Sequence, residues 1–101
     1  MIIVVVTFKI PSNLDMNSLE QKFLETAPIY KETPGLVRKN NIADIVNNTA
    51  GGIYCFKTLQ NAKDWFNEER IAWITSRYSK PTIKFFDNPV IVDNDKNIII
   101  S

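Results

Sequence analysis

Two lysines set in strand-like segments carry the most usable chemistry of this sequence. Lys39 lies in Leu36-Val37-Arg38-Lys39-Asn40-Asn41-Ile42, and Lys84 in Thr82-Ile83-Lys84-Phe85-Phe86-Asp87. A charged lysine binds an oxyanion; it becomes a base only where burial draws its pKa toward neutrality. Tyr54, Trp65, Trp73 and Phe86 supply flat apolar walls, and Asn40, Asn41 and Arg77 supply donors for a developing negative charge.

Each of these residues also has a plainer reading. Lys39 and Lys84 alternate with apolar neighbours, as solvent-facing strand positions do. Trp65 and Trp73 stand at helical spacing and would serve a core equally well. Tyr54 reads as a packed strand residue with its hydroxyl satisfied, Asp87 as a turn former, and Cys55 as a small core hydrophobe.

The absences narrow the chemistry further. There is no histidine and a single cysteine, so Ser-His-Asp and Cys-His arrangements are excluded and no transition-metal cluster is expected. Three glycines leave no phosphate-cradling loop and no dinucleotide fingerprint. One cysteine also excludes an intrachain disulfide framework, which favours a reducing compartment.

At 101 residues the chain has room for one domain, residues 1–101, with a single core. A formal net charge of +1 gives none of the basic footprint of a nucleic-acid binder. The apolar run Ile2–Val6 is too short for a membrane span and lacks the flanks of a signal peptide. A cytoplasmic protein with no nucleic-acid or membrane partner is the expectation. Asn47-Asn48-Thr49 fits a glycosylation sequon but reads as a turn.

The elements that must position the candidates follow from periodicity. Ile2–Ile10 reads as a strand, apolar on both faces through its first half and stopped by Pro11. Asn13 and Asp15 can cap a helix through Met16, Leu19, Phe23 and Ala27, which Pro28 should kink or restart with Thr26 as a new cap. Leu36 to about Val46 reads as a second strand, with Leu36, Arg38, Asn40 and Ile42 on one face and Val37, Lys39, Asn41 and Ala43 on the other. Asn47 to Gly51 should turn, the glycines freeing the backbone for φ > 0, and Gly52–Thr58 should form the third strand.

Gln60 to about Tyr78 reads as helical with a break near Asn67–Glu69, because its apolar set drifts around the helix. A fourth strand, Thr82–Asp87, should continue past Pro89 through Val92, with Ile98-Ile99-Ile100 as a short terminal strand. Strand-helix-strand twice over is the ferredoxin-like βαββαβ plan of an α+β protein, an antiparallel sheet with helices on one face. The other face then needs a cover, and a twofold-related copy supplies one, with the terminal isoleucines pairing across chains. A homodimer is expected.

Pro34-Gly35, Lys39, the Ala50-Gly51-Gly52-Ile53-Tyr54 block with Phe56, and Lys84-x-Phe86-Asp87 resemble the YdhR-like mono-oxygenases of the dimeric α+β barrel superfamily. The resemblance runs from the first strand to about Pro89. It departs at Arg38 and Asn41, where family members tend to carry tryptophans, and in the apolar final segment.

The resemblance implies a cofactor-independent mono-oxygenase acting with molecular oxygen on a small aromatic or quinol-like compound. It implies Lys39 or Lys84 as the catalytic amine, and Tyr54, Trp65, Trp73, Arg77 and Phe86 around the substrate, with no metal. Without histidine the haem-degrading branch is a poor template. The competing reading is a non-catalytic dimer of the same fold that binds or senses a small apolar molecule. RNA binding ranks last, because the first strand offers no aromatic stacking platform between Ile2 and Val6.

Overall fold

Alternation along the first β-branched segment makes β1 (Ile2–Lys9), whose Ile2, Val4, Val6 and Phe8 are buried while Ile3 and Val5 are partly covered. The structure, a computed structural model, describes residues 1–101. β1 is central because it can bury both faces. It pairs antiparallel with β3 (Thr49–Phe56) on one side and β4 (Thr82–Asp87) on the other, and β2 (Leu36–Asp44) closes the far edge beside β3. The four-stranded order β2-β3-β1-β4 is the ferredoxin-like α+β plan expected from the sequence.

Three capped helices cover one face of this sheet. In α1 (Met16–Lys31) the Asp15 carboxylate accepts the Ser18 amide at 2.8 Å. Thr58 caps α2 (Leu59–Trp65) by accepting the Asn61 amide at 3.0 Å, and Asn67 caps α3 (Glu68–Arg77) by accepting the Arg70 amide at 2.8 Å. The expected break in the second helical segment is therefore real: the Asn67 side chain takes an amide that the turn leaves orphaned. Phe56, Leu19, Val4 and Val6 are the largest fully enclosed side chains. Burial of each contributes about 1.5–3 kcal/mol.

Several local expectations differ from the structure. Pro28 does not restart the helix, since α1 runs as one element to Lys31; Thr26 is no cap but donates its hydroxyl to the Phe23 carbonyl at 3.2 Å. The β2–β3 turn falls earlier than expected, over 45–48, and its left-handed residue is Asn48 (φ 51°). Gly51, expected in the turn, lies within β3 beside Gly52. Gly51 is there for space, since an added Cβ would collide with the Val6 carbonyl oxygen of β1.

A bulge between Leu36 and Arg38 breaks the expected alternation of β2. It places Leu36 opposite Phe56 and against the core, on the same face as Lys39. The fourth strand stops at Asp87 because Pro89 has no amide to donate and the Asn88 side chain turns back to the Val90 carbonyl at 3.0 Å. The remaining residues form a separate hairpin, β5 (Ile91–Asp93) with β6 (Ile98–Ile100), turned at Asn97 (φ 55°).

The sheet face away from the helices carries Ile3 and Val5 of β1, Ile53 and Cys55 of β3, and Lys84 and Phe86 of β4. No element of the four-stranded sheet's own helical layer covers it.

Candidate functional site

Between the helices and the sheet, one enclosed space gathers polar groups amid rings. Val6 and Phe8 of β1, Lys39 and Asn41 of β2, and Gly51 and Tyr54 of β3 form its floor. Phe23, Thr26 and Tyr30 of α1 form one wall, and Trp73, Ile74 and Arg77 of α3 with Tyr78 form the other. Its volume of about 20 Å3 admits a single water molecule. A wider recess of about 330 Å3 opens between α1 and the β2 edge and shares Tyr30, Lys39 and Asn41 with the enclosed space. Those three side chains are the partition between inside and outside.

Lys39 is held by backbone register and by an absence of side chain at Gly52. It sits opposite Tyr54 across β2 and β3, and its stem crosses Gly52, where an added Cβ would come within 3.0 Å of Lys39 Cε and of the Tyr54 ring. Lys39 Nζ lies 3.5 Å from the Tyr30 ring centroid and 4.9 Å from that of Tyr54. No carboxylate pairs with it; the one ion pair of the chain joins Arg77 to Glu25 at 3.4 Å. Burial lowers the Lys39 pKa from its usual value to about 7. The two ring faces oppose that shift, since a cation over a tyrosine is favoured by about 1–2 kcal/mol when desolvated.

The phenols around it stay protonated at neutral pH. Burial raises Tyr54 far above the ordinary range, and the neighbouring Tyr30 adds to the shift. Burial likewise raises Tyr30 and Tyr78. The site thus pairs one readily deprotonated amine with neutral hydroxyls that can only donate or accept hydrogen bonds.

Rings and guanidinium groups stack behind this centre. Trp65 meets Tyr30 edge-on at 5.5 Å, and the Arg70 guanidinium covers Trp65 at 3.7 Å and Trp73 at 4.8 Å. Arg77 lies over Trp73 at 5.6 Å and Tyr78 at 5.8 Å, and Tyr78 stacks on Phe8 at 4.3 Å. The Trp65 Nε1 and Arg77 Nε atoms are buried without a hydrogen-bond partner. Arg77 lines the enclosed space, and its Nε is a donor left without a partner in the protein.

Of the residues singled out from sequence, Lys39, Tyr54, Trp73 and Arg77 line the enclosed space, together with Asn41. Trp65 stands one layer back, behind Tyr30. Lys84 and Phe86 lie on the opposite, helix-free face, opposite Val5 and Ile3 of β1, and Phe86 is half exposed. Asn40 shares that face with them, opposite Ile53.

Tyr30 and Arg70 were not singled out. The signal for Tyr30 was present in the stripe Leu19, Phe23, Thr26, Tyr30, but a helix taken to break at Pro28 cannot carry it. Arg70 has no such signal, because stacking on two tryptophans of different helices depends on how α2 and α3 meet.

Two solved structures share the fold. An arginine-to-serine mutant of MhuD with two manganese protoporphyrin IX bound per active site superposes with a TM-score of 0.70 at 13% identity, covering 92% of this chain and 99% of that one. A point mutant of SnoaB, a cofactor-independent oxygenase from Streptomyces nogalater, superposes with a TM-score of 0.63 at 16% identity, covering 86% of this chain and 91% of that one. At these identities the likeness is one of fold. No curated protein matches the sequence. The profile of the family described as "Putative mono-oxygenase ydhR" matches residues 3–87, and the chain belongs to that family.

Proposed function

We propose that this protein is a cofactor-independent mono-oxygenase of a small electron-rich aromatic or quinol-like compound, with Lys39 as its catalytic amine. The observation that carries the reading is Lys39 itself, an amine without a counter-ion, set against two phenol rings at the wall of an enclosed space. With a pKa of about 7, half of its population is neutral at neutral pH and can take the proton of a phenolic substrate. The resulting ammonium then holds the phenolate, which is electron-rich enough to reduce molecular oxygen. One oxygen atom enters the substrate, and the other leaves as water with two substrate hydrogens, so no external reductant is needed. Arg77 Nε and the tyrosine hydroxyls supply donors to the oxyanion. Tyr54 and Trp73 form the ring walls, and Trp65 backs Tyr30.

We place a second copy on the helix-free face, where Lys84 and Phe86 would lie at the contact. Its exposed Phe86, and the exposed Val92, Ile98 and Ile99 of the β5–β6 hairpin, are the kind of surface that a twofold contact buries. A cytoplasmic location accords with the free cysteine, and no helix is long and apolar enough to cross a membrane.

The test is oxygen uptake by the chelator-treated protein against hydroquinones, naphthols and anthrones, without added flavin or metal. Uptake above autoxidation that is lost in Lys39→Ala supports the reading. Uptake that is equal in Lys39→Ala and the parent protein removes Lys39 from the chemistry. A non-catalytic ligand-binding dimer of the same fold is the second reading; saturable binding of a panel member with no turnover would establish it.

A further inference from the structure

The recess outside Lys39 has a chemistry that proton abstraction does not use. Its lining brings together the amines of Lys31 and Lys39 with Ala27, Tyr30, Leu36, Val37 and Asn41, and includes no carboxylate; Arg38 borders it from the strand, with its side chain's register on the other sheet face. At about 330 Å3 it is large enough for a single substituted ring. Lys39 is the only one of its amines that also lines the enclosed space, and its Nζ makes no hydrogen bond or ion pair with a protein group. It rests on ring faces instead. We propose that Lys39 is a covalent capture site for aromatic aldehydes bearing an anionic group, which enter this recess and form an imine with its Nζ.

The step balances without any further reagent. The neutral amine attacks the carbonyl carbon, a C–N bond forms, and the carbonyl oxygen leaves as water carrying both amine hydrogens. Lys39 is suited to it because a neutral amine is the nucleophile, and an ordinary exposed lysine is almost wholly protonated at pH 7. Tyr30 offers a ring face beside the nitrogen at 3.5 Å. Lys31 offers charge to the anionic substituent at the recess mouth. The charged or titratable groups facing the amine are Tyr30 and Lys31 from α1, Tyr54 from β3, and Arg77 and Tyr78 from α3 and its end; Arg38, opposite Cys55, belongs to the other face of the sheet. All are cationic or phenolic, so none would hold Lys39 as an ammonium by ion pairing.

The proposal uses the same amine as the oxygenase reading but needs no oxygen chemistry. The protein is incubated at pH 7 with 4-carboxybenzaldehyde or benzaldehyde and cyanoborohydride, digested, and mapped by mass spectrometry. The expected result is reduced adduct at Lys39 forming at least about ten-fold faster than at Lys84, and faster with the carboxylated probe than with benzaldehyde. Lys39→Arg should remove that fast phase while the slow labelling of the other lysines persists. Labelling of Lys39 no faster than Lys84, or a fast phase located at the Met1 amine, would overturn the proposal. Adduct at Lys39 without oxygen uptake across the phenol panel supports capture and counts against the oxygenase; Lys39-dependent uptake with no fast adduct does the reverse.

Discussion

The Lys39 ammonium sits 3.5 Å above the centre of the Tyr30 ring, and this contact joins the edge strand β2 to the helix α1. Two opposing effects meet there. Burial draws the amine down to about 7, and the ring face holds the charged form. Removing the ring in Tyr30→Leu should lower the Lys39 pKa by about one unit further, whereas Tyr30→Phe should leave it within about 0.3. The pH dependence of lysine reductive methylation, resolved by peptide mapping, reads the difference directly. Equal titration in the leucine and phenylalanine variants would show that the ring does nothing for the charge.

The same lowered pKa makes a stability prediction with a fixed sign. The folded amine titrates near 7 and the unfolded one near 10.5, so between those values the unfolded chain binds more protons and stability rises with pH. Below 7 the full penalty of the buried ammonium is present. Lys39→Met, which keeps the stem and removes the charge, should stabilise the protein at pH 6 by about 2–3 kcal/mol, and the gain should shrink toward zero by pH 10. Urea unfolding at the two pH values is the measurement. A gain independent of pH would mean that packing, not charge, governs this position.

How much of this was legible in the sequence depends on whether local pattern or meeting geometry decides each feature. The alternation of β1, the cap at Asp15, the break near Asn67–Glu69 and the βαββαβ order could be read directly, because each depends on residues close in the chain. Lys39, Tyr54, Trp73 and Arg77 could be named as candidates by type. Their convergence could not, since Lys39 faces the helices through a register that the bulge after Leu36 adjusts. Gly51 and Gly52 misled for a related reason. Glycine signals either backbone freedom or missing bulk, and only the approach of β1 and of the Lys39 stem shows that bulk is what counts here.

That distinction separates two alanine substitutions one residue apart. In Gly51→Ala the new methyl meets backbone, the Val6 carbonyl, which cannot swing away, so the central strand pair must shift. A loss of about 3 kcal/mol or more is expected. In Gly52→Ala the methyl meets the flexible Lys39 stem and the Tyr54 ring edge at 3.0 Å, and the cost should stay near about 1 kcal/mol. Lys39 should then be pushed outward, regaining a more ordinary pKa and losing its selective labelling. Chemical denaturation and reductive methylation on both variants check this, and equal destabilisation would refute the assignment.

The helix-free face gives the last prediction. Phe86 is 50% exposed, beside Ile3 of β1, while its neighbour Phe85 turns to the other face and meets Phe66 edge-on at 6.2 Å. A charge at position 86 therefore leaves the core of the single chain untouched. If a second copy packs on this face, Phe86→Asp places a carboxylate against its own twofold image in an apolar contact, which costs several kcal/mol on association. Sedimentation equilibrium should show the parent protein at twice the single-chain mass of 11.6 kDa and Phe86→Asp at the single-chain mass, both with the same circular dichroism. Phe85→Asp, on the helix side against the Phe66 edge but 41% exposed, should cost about 1 kcal/mol of stability and leave the sedimenting mass unchanged. A parent protein that sediments as one chain, or a Phe86→Asp variant that stays dimeric, would move the contact away from this sheet face and leave its apolar surface to another partner.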